Sequence, residues 1–404
     1  MTRPGKTGVL LDISRLISRV RHSTPSGVDR VEMAYARGLM QHYGDDLAFV
    51  AVHPSTLYGR IDRAAALAYL EELERRWEDR GNPPGQRSLA DAAPWMKRLM
   101  PRRVGVGSSR VLVQVSPHHW HRPGLLRRKL AREQARFVCM VHDLIPIEYP
   151  EYARPGGADL HETRMASVAD LADAVIVNSA ATGASLARWI ESRGQTPPPI
   201  HVALLGTRSI ASVEPFATPD SRPYFLCLGT IEPRKNHLLL LHLWRVMAQE
   251  LPAAQVPRLV IVGRRGWENE QVLDMLDRCP ALSPFVEEIN SCGDAQLAAL
   301  LRGARALVMP SFAEGYGMPV AEALSVGTPV IASNIAAHRE VGGDVADYLD
   351  PLDGPGWQAA ILDYAQTGPK YRAQLARMDK WQEPGWAEHI DGVVEIIEGA
   401  ARQG

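Results

Sequence analysis

The segment from Pro310 to Val330 limits the possible folds of this chain more than any other stretch. It reads PSFAEGYGMPVAEALSVGTPV and follows an apolar run, Ala306–Met309. Its glycine-rich turn leads into a helix-like pattern and then into a second strand-like run, Pro329–Ala332. In α/β proteins, a strand, a glycine turn, a helix and a strand in this order present a phosphate-bearing ligand to a helix N-terminus. The segment therefore predicts an α/β fold with a ligand site in this turn.

Strand-like apolar runs alternate with helix-like segments along both halves of the chain. Such near-continuous apolar strands indicate parallel sheets that are covered on both faces. The 404 residues are enough for two domains, and the stretch 211–223, rich in Pro, Ser and Asp, is typical of a linker. We therefore predict two Rossmann-like domains, 1–210 and 224–380, that face across a cleft, and a helix within 381–404 that crosses back onto the first domain.

The elements predicted within these domains are as follows. The strands are Gly8–Ile13, Phe49–His53, Val111–Val115, Phe137–Val141, Ala174–Val177, His201–Leu204, Tyr224–Leu228, Arg258–Val262, Val286–Ile289, Ala306–Met309 and Pro329–Ala332. Gly27–Leu39 is the first crossover helix, and Asp294 is the N-cap of a helix at Ala295–Arg302. Residues 63–100 are charged and helix-like with a break at Gly81–Gly85, and they have no assigned place in the sheet.

Composition excludes several classes of protein. The formal net charge of −1 argues against a nucleic-acid partner, because nucleic-acid-binding domains are usually strongly basic. The four cysteines have no metal-ligand spacing and fit buried thiols in a reducing cytoplasm. No window reaches the ~18–20 apolar residues of a membrane span, and the run Val9–Ile13 is too short for a signal peptide. We expect a cytoplasmic protein with no metal cofactor.

Two carboxylates, Glu314 and Glu322, flank the glycine turn. Glu314 follows a predicted strand, and Glu322 falls in the predicted first turn of the next helix. Gly315 and Gly317 would let the backbone approach a ligand closely, and a carboxylate suits a vicinal diol such as ribose. The residues alone equally allow Glu322 to complement the helix dipole and Glu314 to be a solvated loop charge.

Basic side chains follow two other strands of the second half. The loop GTIEPRKNH starts at Gly229 and contains Arg234 and Lys235, a pair suited to a diphosphate leaving group. Gly263 and Arg264 follow the next strand in a similar but weaker pattern. Either loop could also be a solvated basic turn.

Polar residues follow strands of the first half in the same way. His142 and Asp143 come after one strand and Asn178 after the next, which favours a functional position at the edge of the sheet. Gly27 opens the first crossover helix and could present backbone N–H groups to a phosphate. His118 and His119 have no standard metal spacing, so we assign them to the acceptor side or to a structural role.

Two segments of the first half are basic and amphipathic, namely Trp95–Arg103 and Arg122–Arg136. Such segments can dock on anionic lipid headgroups, and they can equally be solvated helix faces. The first interpretation predicts a peripheral association with the inner face of the plasma membrane.

Taken together, these motifs resemble glycosyltransferase family four, the retaining transferases of the GT-B fold. The resemblance runs over most of the chain and is strongest from Tyr224 to Asp353, where FLCLGTIEPRKN, LVIVGRRGW and GTPVIASNIAAHREVGGDVADYLDP occur in the family's order. VHDLIPIEYPEY and ADAVIVNSAATGASL resemble the subgroup that makes bacterial surface polysaccharides, near its mannosyltransferases. Residues 55–110 resemble nothing we can name.

The resemblance implies roles for candidate residues of both halves. Glu314 would contact the donor sugar near the reacting centre, and Glu322 would hold the ribose. Arg234 and Lys235 would neutralise the diphosphate as it leaves. Backbone N–H groups at Tyr316 and Gly317 would bind sugar hydroxyls or phosphate, Gly27 would approach the diphosphate from the other domain, and His142 would lie beside the transferred sugar.

The implied reaction transfers a hexosyl unit with retained anomeric configuration. The expected donor is a nucleotide-diphosphate sugar, with GDP-mannose first, and the acceptor is a saccharide or lipid-linked saccharide in surface polysaccharide biosynthesis. We favour same-face attack in which the leaving phosphate takes the acceptor proton, so that Glu314 positions groups rather than acting as a nucleophile. The alternatives are a GT-B sugar-nucleotide epimerase and a non-catalytic GT-B partner subunit, and four intact site residues argue against the latter.

Overall fold

The chain forms two compact α/β units in a computed structural model. The structure describes residues 7–22, 25–78, 89–102, 110–207, 214–216 and 222–402. Unit 1 comprises Met1–Glu148, Pro155–Gly206 and Pro384–Gly404, and unit 2 comprises Tyr149–Arg154 and Thr207–Glu383. Most of the predicted linker 211–223 and the whole predicted break Gly81–Gly85 lie outside the described residues.

Unit 1 is built on a mainly parallel sheet. Its strands are β1 (Gly8–Asp12), β2 (Leu47–Val52), β3 (Tyr58–Arg60), β4 (Arg110–Gln114), β5 (Ala135–Val141), β6 (Ala174–Val177) and β7 (Ile200–Val202). In the described part of the unit they pair in the order β3-β2-β1-β4-β5-β6-β7, and only the β2–β3 pair is antiparallel. The strands predicted for this half are all present, with ends shifted by at most two residues, and β3 is an edge strand that the sequence did not predict.

Helices cover this sheet. They are α1 (Ser14–Ser18), α2 (Gly27–Tyr43), α3 (Arg63–Glu78), α4 (Leu89–Arg98), α5 (Pro123–Glu133), α6 (Ile145–Glu148), α7 (Gly157–Leu171) and α8 (Ala180–Ser192). α2 begins with a capping box in which Ser26 and Asp29 each accept a hydrogen bond from the other's backbone N–H, which stabilises a helix start. It continues four residues past the predicted end at Leu39. Trp120 and Phe137 pack edge to face in the core below α5 and α7.

Unit 2 has a fully parallel sheet among its described strands. They are β8 (Tyr224–Leu228), β9 (Arg258–Val262), β10 (Val286–Ile289), β11 (Ala306–Met309), β12 (Val330–Ser333) and β13 (Asp347–Leu349), in the order β10-β9-β8-β11-β12-β13. The helices are α9 (His237–Glu250), α10 (Glu270–Arg278), α11 (Asp294–Gly303), α12 (Met318–Ser325), α13 (Ala336–Gly342), α14 (Gly354–Ala365) and α15 (Pro369–Leu375).

Two local predictions in unit 2 are wrong. Asp294 is the first residue of α11 rather than its N-cap, which is Gly293 in extended conformation. Glu322 does not lie in the first turn of α12, because this helix begins at Met318 and its first turn contains no acidic residue. Gly317 precedes the helix in the left-handed region (φ 100°), a conformation that glycine adopts without steric cost.

The last helix, α16 (Trp386–Arg402), belongs to unit 1 and packs on α2. A Cβ at Gly38 would come within 2.6 Å of the Ile390 side chain, so this glycine allows the two helices to approach closely. His389 of α16 donates from Nδ1 to the carbonyl of Leu204 at 2.9 Å, and its Nε2 lies 3.0 Å from the Tyr35 hydroxyl. Among the described residues, no helix is long and apolar enough to cross a bilayer.

Candidate active site

Two loops of unit 2 meet at the carboxyl ends of neighbouring strands. β8 and β11 pair in parallel, so the loop after β8, which carries Arg234 and Lys235, lies beside the loop after β11, which carries Glu314. The backbone N–H of Phe312 donates to the carbonyl of Arg234 at 2.8 Å and joins the two loops. The structure therefore brings together the two constellations that the sequence predicted separately.

Glu314 is the centre of this arrangement. Its Oε2 accepts from Arg234 Nη1 at 2.8 Å, and its Oε1 accepts from Lys235 Nζ at 2.5 Å and from Ser311 Oγ at 2.7 Å. The Glu314 side chain is only 7% exposed and that of Lys235 only 8%. Both carboxylate oxygens are thus held by charge-assisted hydrogen bonds inside the protein.

Electrostatics keep Glu314 ionised. Burial alone would raise the pKa of Glu314, but the charges of Lys235 and Arg234 outweigh it and hold this pKa well below its ordinary value. Burial lowers the pKa of Lys235, and Glu314 opposes that effect. A carboxylate of low basicity with both oxygens hydrogen-bonded is a poor nucleophile and a good anchor for cations.

Sequence reasoning missed two residues that support these cations. Glu232, buried beside them, accepts from Arg234 Nε at 2.6 Å. Asn236 adopts a left-handed conformation (φ 55°), which Asn tolerates better than most residues, and its Nδ2 donates to the carbonyls of Pro310 and Pro351 at 3.1 and 3.0 Å. Both residues lie in the GTIEPRKNH loop. Their position after a predicted strand could have marked them as site candidates in the sequence.

The glycine turn lies directly before α12. A Cβ at Gly317 would come 3.0 Å from Cδ2 of His338, so a larger residue has little room there. His338 is fully buried, donates from Nδ1 to the carbonyl of Ser333 at 3.1 Å, and has no partner for Nε2 among the described residues. Gly315 is half-buried and Tyr316 is buried. Glu322 is half-exposed and lies one turn into the helix.

A second pair of glycines brings the loops after β8 and β9 together. A Cβ at Gly263 would overlap the carbonyl oxygen of Gly229, and Gly229 itself has a φ of 141°. Only glycine fits such a contact. Arg264 is exposed, and the neighbouring Arg265 forms ion pairs with Asp277 and Glu288.

The predicted residues of unit 1 lie at the carboxyl edge of its own sheet. His142 donates from Nε2 to the carbonyl of Val115 at 2.7 Å, and its own carbonyl accepts from Asn178 Nδ2 at 2.9 Å. Asp143 Oδ1 accepts from the backbone N–H of Ile145 at 3.1 Å. Burial lowers the pKa of His142, so the ring is neutral at neutral pH with its proton on Nε2.

His118 and His119 lie in the loop after β4, with ring centroids 4.1 Å apart. Burial lowers the pKa of each to about 4, so both rings are uncharged at neutral pH. Within the described ranges, no group of three or more His, Cys, Asp or Glu side chains is placed to hold a metal ion. Gly27 is exposed at the first position of α2.

The basic segment Arg122–Arg136 is less exposed than the sequence suggested. Lys129 is buried (2% exposed), and its Nζ binds Asp12 Oδ2 at 2.6 Å. Arg136 lies in β5 rather than in a helix. In the segment Trp95–Arg103, Lys97 and Arg98 are exposed, while Arg103 lies outside the described residues.

Comparisons with known proteins support the family prediction. Residues 211–347 match the family described as Glycosyl transferases group 1. The serotype-specific mannosyltransferase WbdA of Escherichia coli is 30% identical over 291 residues, which are 67% of this chain and 35% of that protein. The O-antigen chain mannosyltransferase B of Escherichia coli is 36% identical over 160 residues, which are 40% of this chain and 38% of that protein. The chain thus spans about a third of the length of these curated relatives.

Solved structures share the fold. Sucrose-phosphate synthase from Thermosynechococcus elongatus has a TM-score of 0.64 at 16% identity, covering 99% of this chain and 100% of that one. An alpha,alpha-trehalose-phosphate synthase from Burkholderia xenovorans has a TM-score of 0.61 at 14% identity, covering 97% of this chain and 100% of that one. The predicted GT-B fold class, with two mainly parallel sheets, is confirmed.

Proposed function

We propose that this chain, whose residues 211–347 belong to the group 1 glycosyl transferase family, is a retaining glycosyltransferase of polysaccharide biosynthesis. Its donor would be a nucleotide-diphosphate sugar and its acceptor a saccharide or lipid-linked saccharide. The two curated relatives described above are named as mannosyltransferases, so GDP-mannose is the first donor to test.

One observation carries the proposal. Glu314 holds Arg234 and Lys235 in place at the strand ends of unit 2, 2.8 and 2.5 Å from its two oxygens. Fixed cations stabilise negative charge that grows in a transition state at little cost of reorganisation. A sugar nucleotide develops such charge on its diphosphate when the glycosidic bond breaks. The loop after β8, which carries Arg234 and Lys235, therefore suits a diphosphate leaving group.

The role we propose for Glu314 is electrostatic and positional. In a double-displacement mechanism, a carboxylate would bond to the anomeric carbon. Glu314 accepts hydrogen bonds at both oxygens and has a depressed pKa, which favours a mechanism without a covalent intermediate. In that alternative the bond from the anomeric carbon to the diphosphate oxygen breaks, the acceptor oxygen bonds to the same face, and the acceptor proton passes to the leaving phosphate.

Donor binding would use further residues of unit 2, in the loops after β8, β9 and β11 and in α12. We assign the ribose hydroxyls to Glu322 and the sugar or phosphate oxygens to the backbone N–H groups of Tyr316 and Gly317. The close contact of Gly229 with Gly263 would keep side chains away from the diphosphate. No step of this mechanism requires a metal ion, so we propose that transfer is metal-independent.

We also propose that the protein works in the cytoplasm, in peripheral contact with anionic lipid through unit 1. Lys97 and Arg98 are exposed at the end of α4, next to Met100 (41% exposed). The β2–β3 turn brings Leu57 (48% exposed) to the same region, since Ser55 Oγ lies 3.8 Å from Met100 Sδ. Exposed apolar side chains flanked by cations suit a headgroup boundary.

A vesicle-binding assay tests this membrane contact. Co-sedimentation with anionic vesicles should fall in a Lys97→Gln/Arg98→Gln double variant, and unchanged binding would refute the contact.

The direct test of function is a panel of GDP-, UDP- and dTDP-sugars in thermal-shift and transfer assays. A ligand at 100 times its Kd adds about 2.7 kcal/mol of stability, so the true donor should raise Tm clearly. Incubation of that donor without acceptor should give at most slow hydrolysis. Formation of a new sugar nucleotide in the incubation without acceptor would indicate an epimerase. No change in Tm with any sugar nucleotide would refute the proposal.

A further inference from the structure

The carboxyl edge of the unit 1 sheet carries a half-buried arginine that has no role so far. Arg164 lies in α7, between two residues that anchor this helix to strand-end loops. His161 donates from Nε2 to the carbonyl of Asp143 after β5 at 3.0 Å, and Ser167 donates to the carbonyl of Trp120 after β4 at 2.7 Å. Residues three apart on a helix share a face. Arg164 therefore faces the edge of the sheet between these two loops.

Nothing described in the protein neutralises Arg164. Across the described ranges, this guanidinium has no ion pair, and its Nε is buried without a hydrogen-bond partner. A buried, unsatisfied guanidinium nitrogen costs free energy. Arg15 lies in α1, directly after β1, and β1 pairs with β4, so Arg15 stands at the same edge of the sheet as the loop after β4. Burial and then the charge of Arg15 lower the pKa of Arg164. Two arginines at one edge of a sheet, one of them without a counter-charge among the described residues, can bind an anion.

Arg15 is held in place rather than neutralised. Its Nε donates to Asp29 Oδ1 at 2.6 Å, and its Nη2 donates to Ser26 Oγ at 3.0 Å. Asp29 also binds Arg19 at 3.1 Å, so one carboxylate serves two arginines. The side chain of Arg15 remains 19% exposed. The excess of positive charge at this position is thus fixed by the structure.

Two of the carboxylates near this edge, Asp12 and Glu32, are engaged or protonated, and Asp143 accepts from the backbone N–H of Ile145 at 3.1 Å. Asp12 is buried and bound to Lys129. Burial, and then the charge of Asp12, raise the pKa of Glu32 to about 8, so Glu32 is mostly uncharged at neutral pH. His118 lies in the loop after β4, where Gln114 Nε2 donates to its carbonyl at 2.6 Å. Burial lowers its pKa most, the charge of Asp12 opposes this effect, and the charges of Arg15, Lys129 and Arg164 add to it. An incoming anion would offset the positive charge of the two guanidinium groups.

We propose that Arg15, Arg164 and His118 form a binding site for a phosphate group at the carboxyl edge of the unit 1 sheet. Two guanidinium forks can engage several oxygens of one phosphate, and the imidazole can add a further hydrogen bond. Given the proposed function, on which this part rests, the phosphate belongs either to the diphosphate of a lipid-linked acceptor or to that of the donor.

The site can be tested with inorganic pyrophosphate as the probe and the full chain as the receptor. The readout is the NMR resonance of the His118 ring, assigned with a His118→Gln variant, because it reports on this site and not on the cations of unit 2. Pyrophosphate should shift this resonance in the wild type and in Arg234→Gln. Arg164→Gln should weaken the response at least about tenfold, the loss expected for a charge-assisted hydrogen bond.

Arg188→Gln is the matched control, because Arg188 is an exposed arginine of the same unit on α8. It should leave the titration unchanged. If Arg164→Gln does not fold, Arg164→Lys keeps the charge but loses the fork, and it should still weaken the response several-fold. An equal pyrophosphate response in the wild type and in the folded Arg164 variant would overturn the proposal.

Transfer kinetics of the Arg164→Lys variant identify the source of the phosphate. A higher KM for a lipid-diphosphate-linked acceptor, with the KM of the donor unchanged, assigns the site to the acceptor, and the reverse assigns it to the donor. An unchanged KM for both substrates would overturn the assignment to the reaction. The pyrophosphate titration does not need activity, so it remains valid even if the wild type transfers no sugar and the proposed function fails.

Discussion

The two units place charged residues at the carboxyl ends of their strands in opposite ways. In unit 2, Glu314 pairs with both Arg234 and Lys235, and Glu232 takes a further contact of Arg234. In unit 1, one carboxylate, Asp29, serves two arginines, and a buried nitrogen of Arg164 has no partner among the described residues.

This difference predicts that the stability of the two units depends on a bound ligand to different extents. The unit 2 network is complete within the protein, so its carboxylate contributes to folding whether or not a substrate is bound. The unit 1 arginines have charge and hydrogen-bonding capacity left over, so an anion should stabilise this unit more than a substitution there destabilises it.

The largest effect should come from Glu314→Gln. Lys235 and Arg234 would lose their shared counter-charge, and removing one partner of a buried pair costs about 3–5 kcal/mol. Denaturant unfolding should show this loss, and kcat should fall at least about a hundredfold. Because the folded-state pKa of Glu314 is depressed, the stability difference should be full above about pH 4.3 and shrink as pH falls below it. A stable, active variant would show that the network is not required.

The next largest effect should come from Arg234→Ala. This variant tests whether Arg234 acts in catalysis or only in donor binding. If Arg234 stabilises charge on the leaving diphosphate, kcat should fall by about a hundredfold, while affinity for the free nucleoside changes little. Equal losses in both would mean that Arg234 only binds the donor. Arg265→Ala is the control, because Arg265 is engaged by Asp277 and Glu288 on the surface. It should leave both quantities within about twofold.

A smaller effect is expected for Glu322→Gln, which contrasts Glu314 in the loop after β11 with Glu322 in the following helix. Glu322 is half-exposed and one turn into α12, so its loss should change the free energy of unfolding by less than about 1 kcal/mol. A ribose contact should instead appear as a rise of about tenfold in the KM of the donor, with kcat nearly unchanged. Steady-state kinetics check this, and a stability loss as large as that of Glu314→Gln would contradict the assignment.

In unit 2, local sequence patterns locate the ends of the strands. Parallel strands place the loops that follow them at one edge of the sheet. Arg234, Lys235 and Glu314 could therefore be assigned to a site from the amino-acid sequence alone. Their pairing could not be predicted, since Glu314 lies about eighty positions along the chain from both cations and only the β8–β11 register brings them together. The helix position of Glu322 was also beyond local patterns, because the start of α12 depends on the left-handed Gly317.

Unit 1 was predicted less completely for the same reason. Lys129 was assigned to a basic surface, but its partner Asp12 lies 117 positions away and draws it into the interior. The short strands β3 (YGR) and β13 of unit 2 (DYL) contain glycine or charged positions and no apolar run, whereas the equally short β7 continues into the apolar Ala203 and Leu204. Arg15 and Arg164 carry no motif at all. Arg15 follows β1, and Arg164 lies on a helix that is anchored to the loops after β4 and β5, so only the pairing of these strands places both at one edge of the sheet.

The effect that is smallest at neutral pH, and grows only as pH is lowered, concerns the neutral histidines of unit 1. The folded-state pKa of His118 is about 4, below the 6.5 of an unperturbed histidine. Between these values the unfolded chain binds a proton that the folded protein does not, so stability falls as pH is lowered from about 6.5 towards 4. His118→Gln should remove part of that fall, so its Tm should approach or exceed that of the wild type as pH decreases. His201→Gln, at an exposed histidine of β7, should leave the slope unchanged. Parallel Tm curves for His118→Gln and the wild type would mean that burial does not keep His118 uncharged.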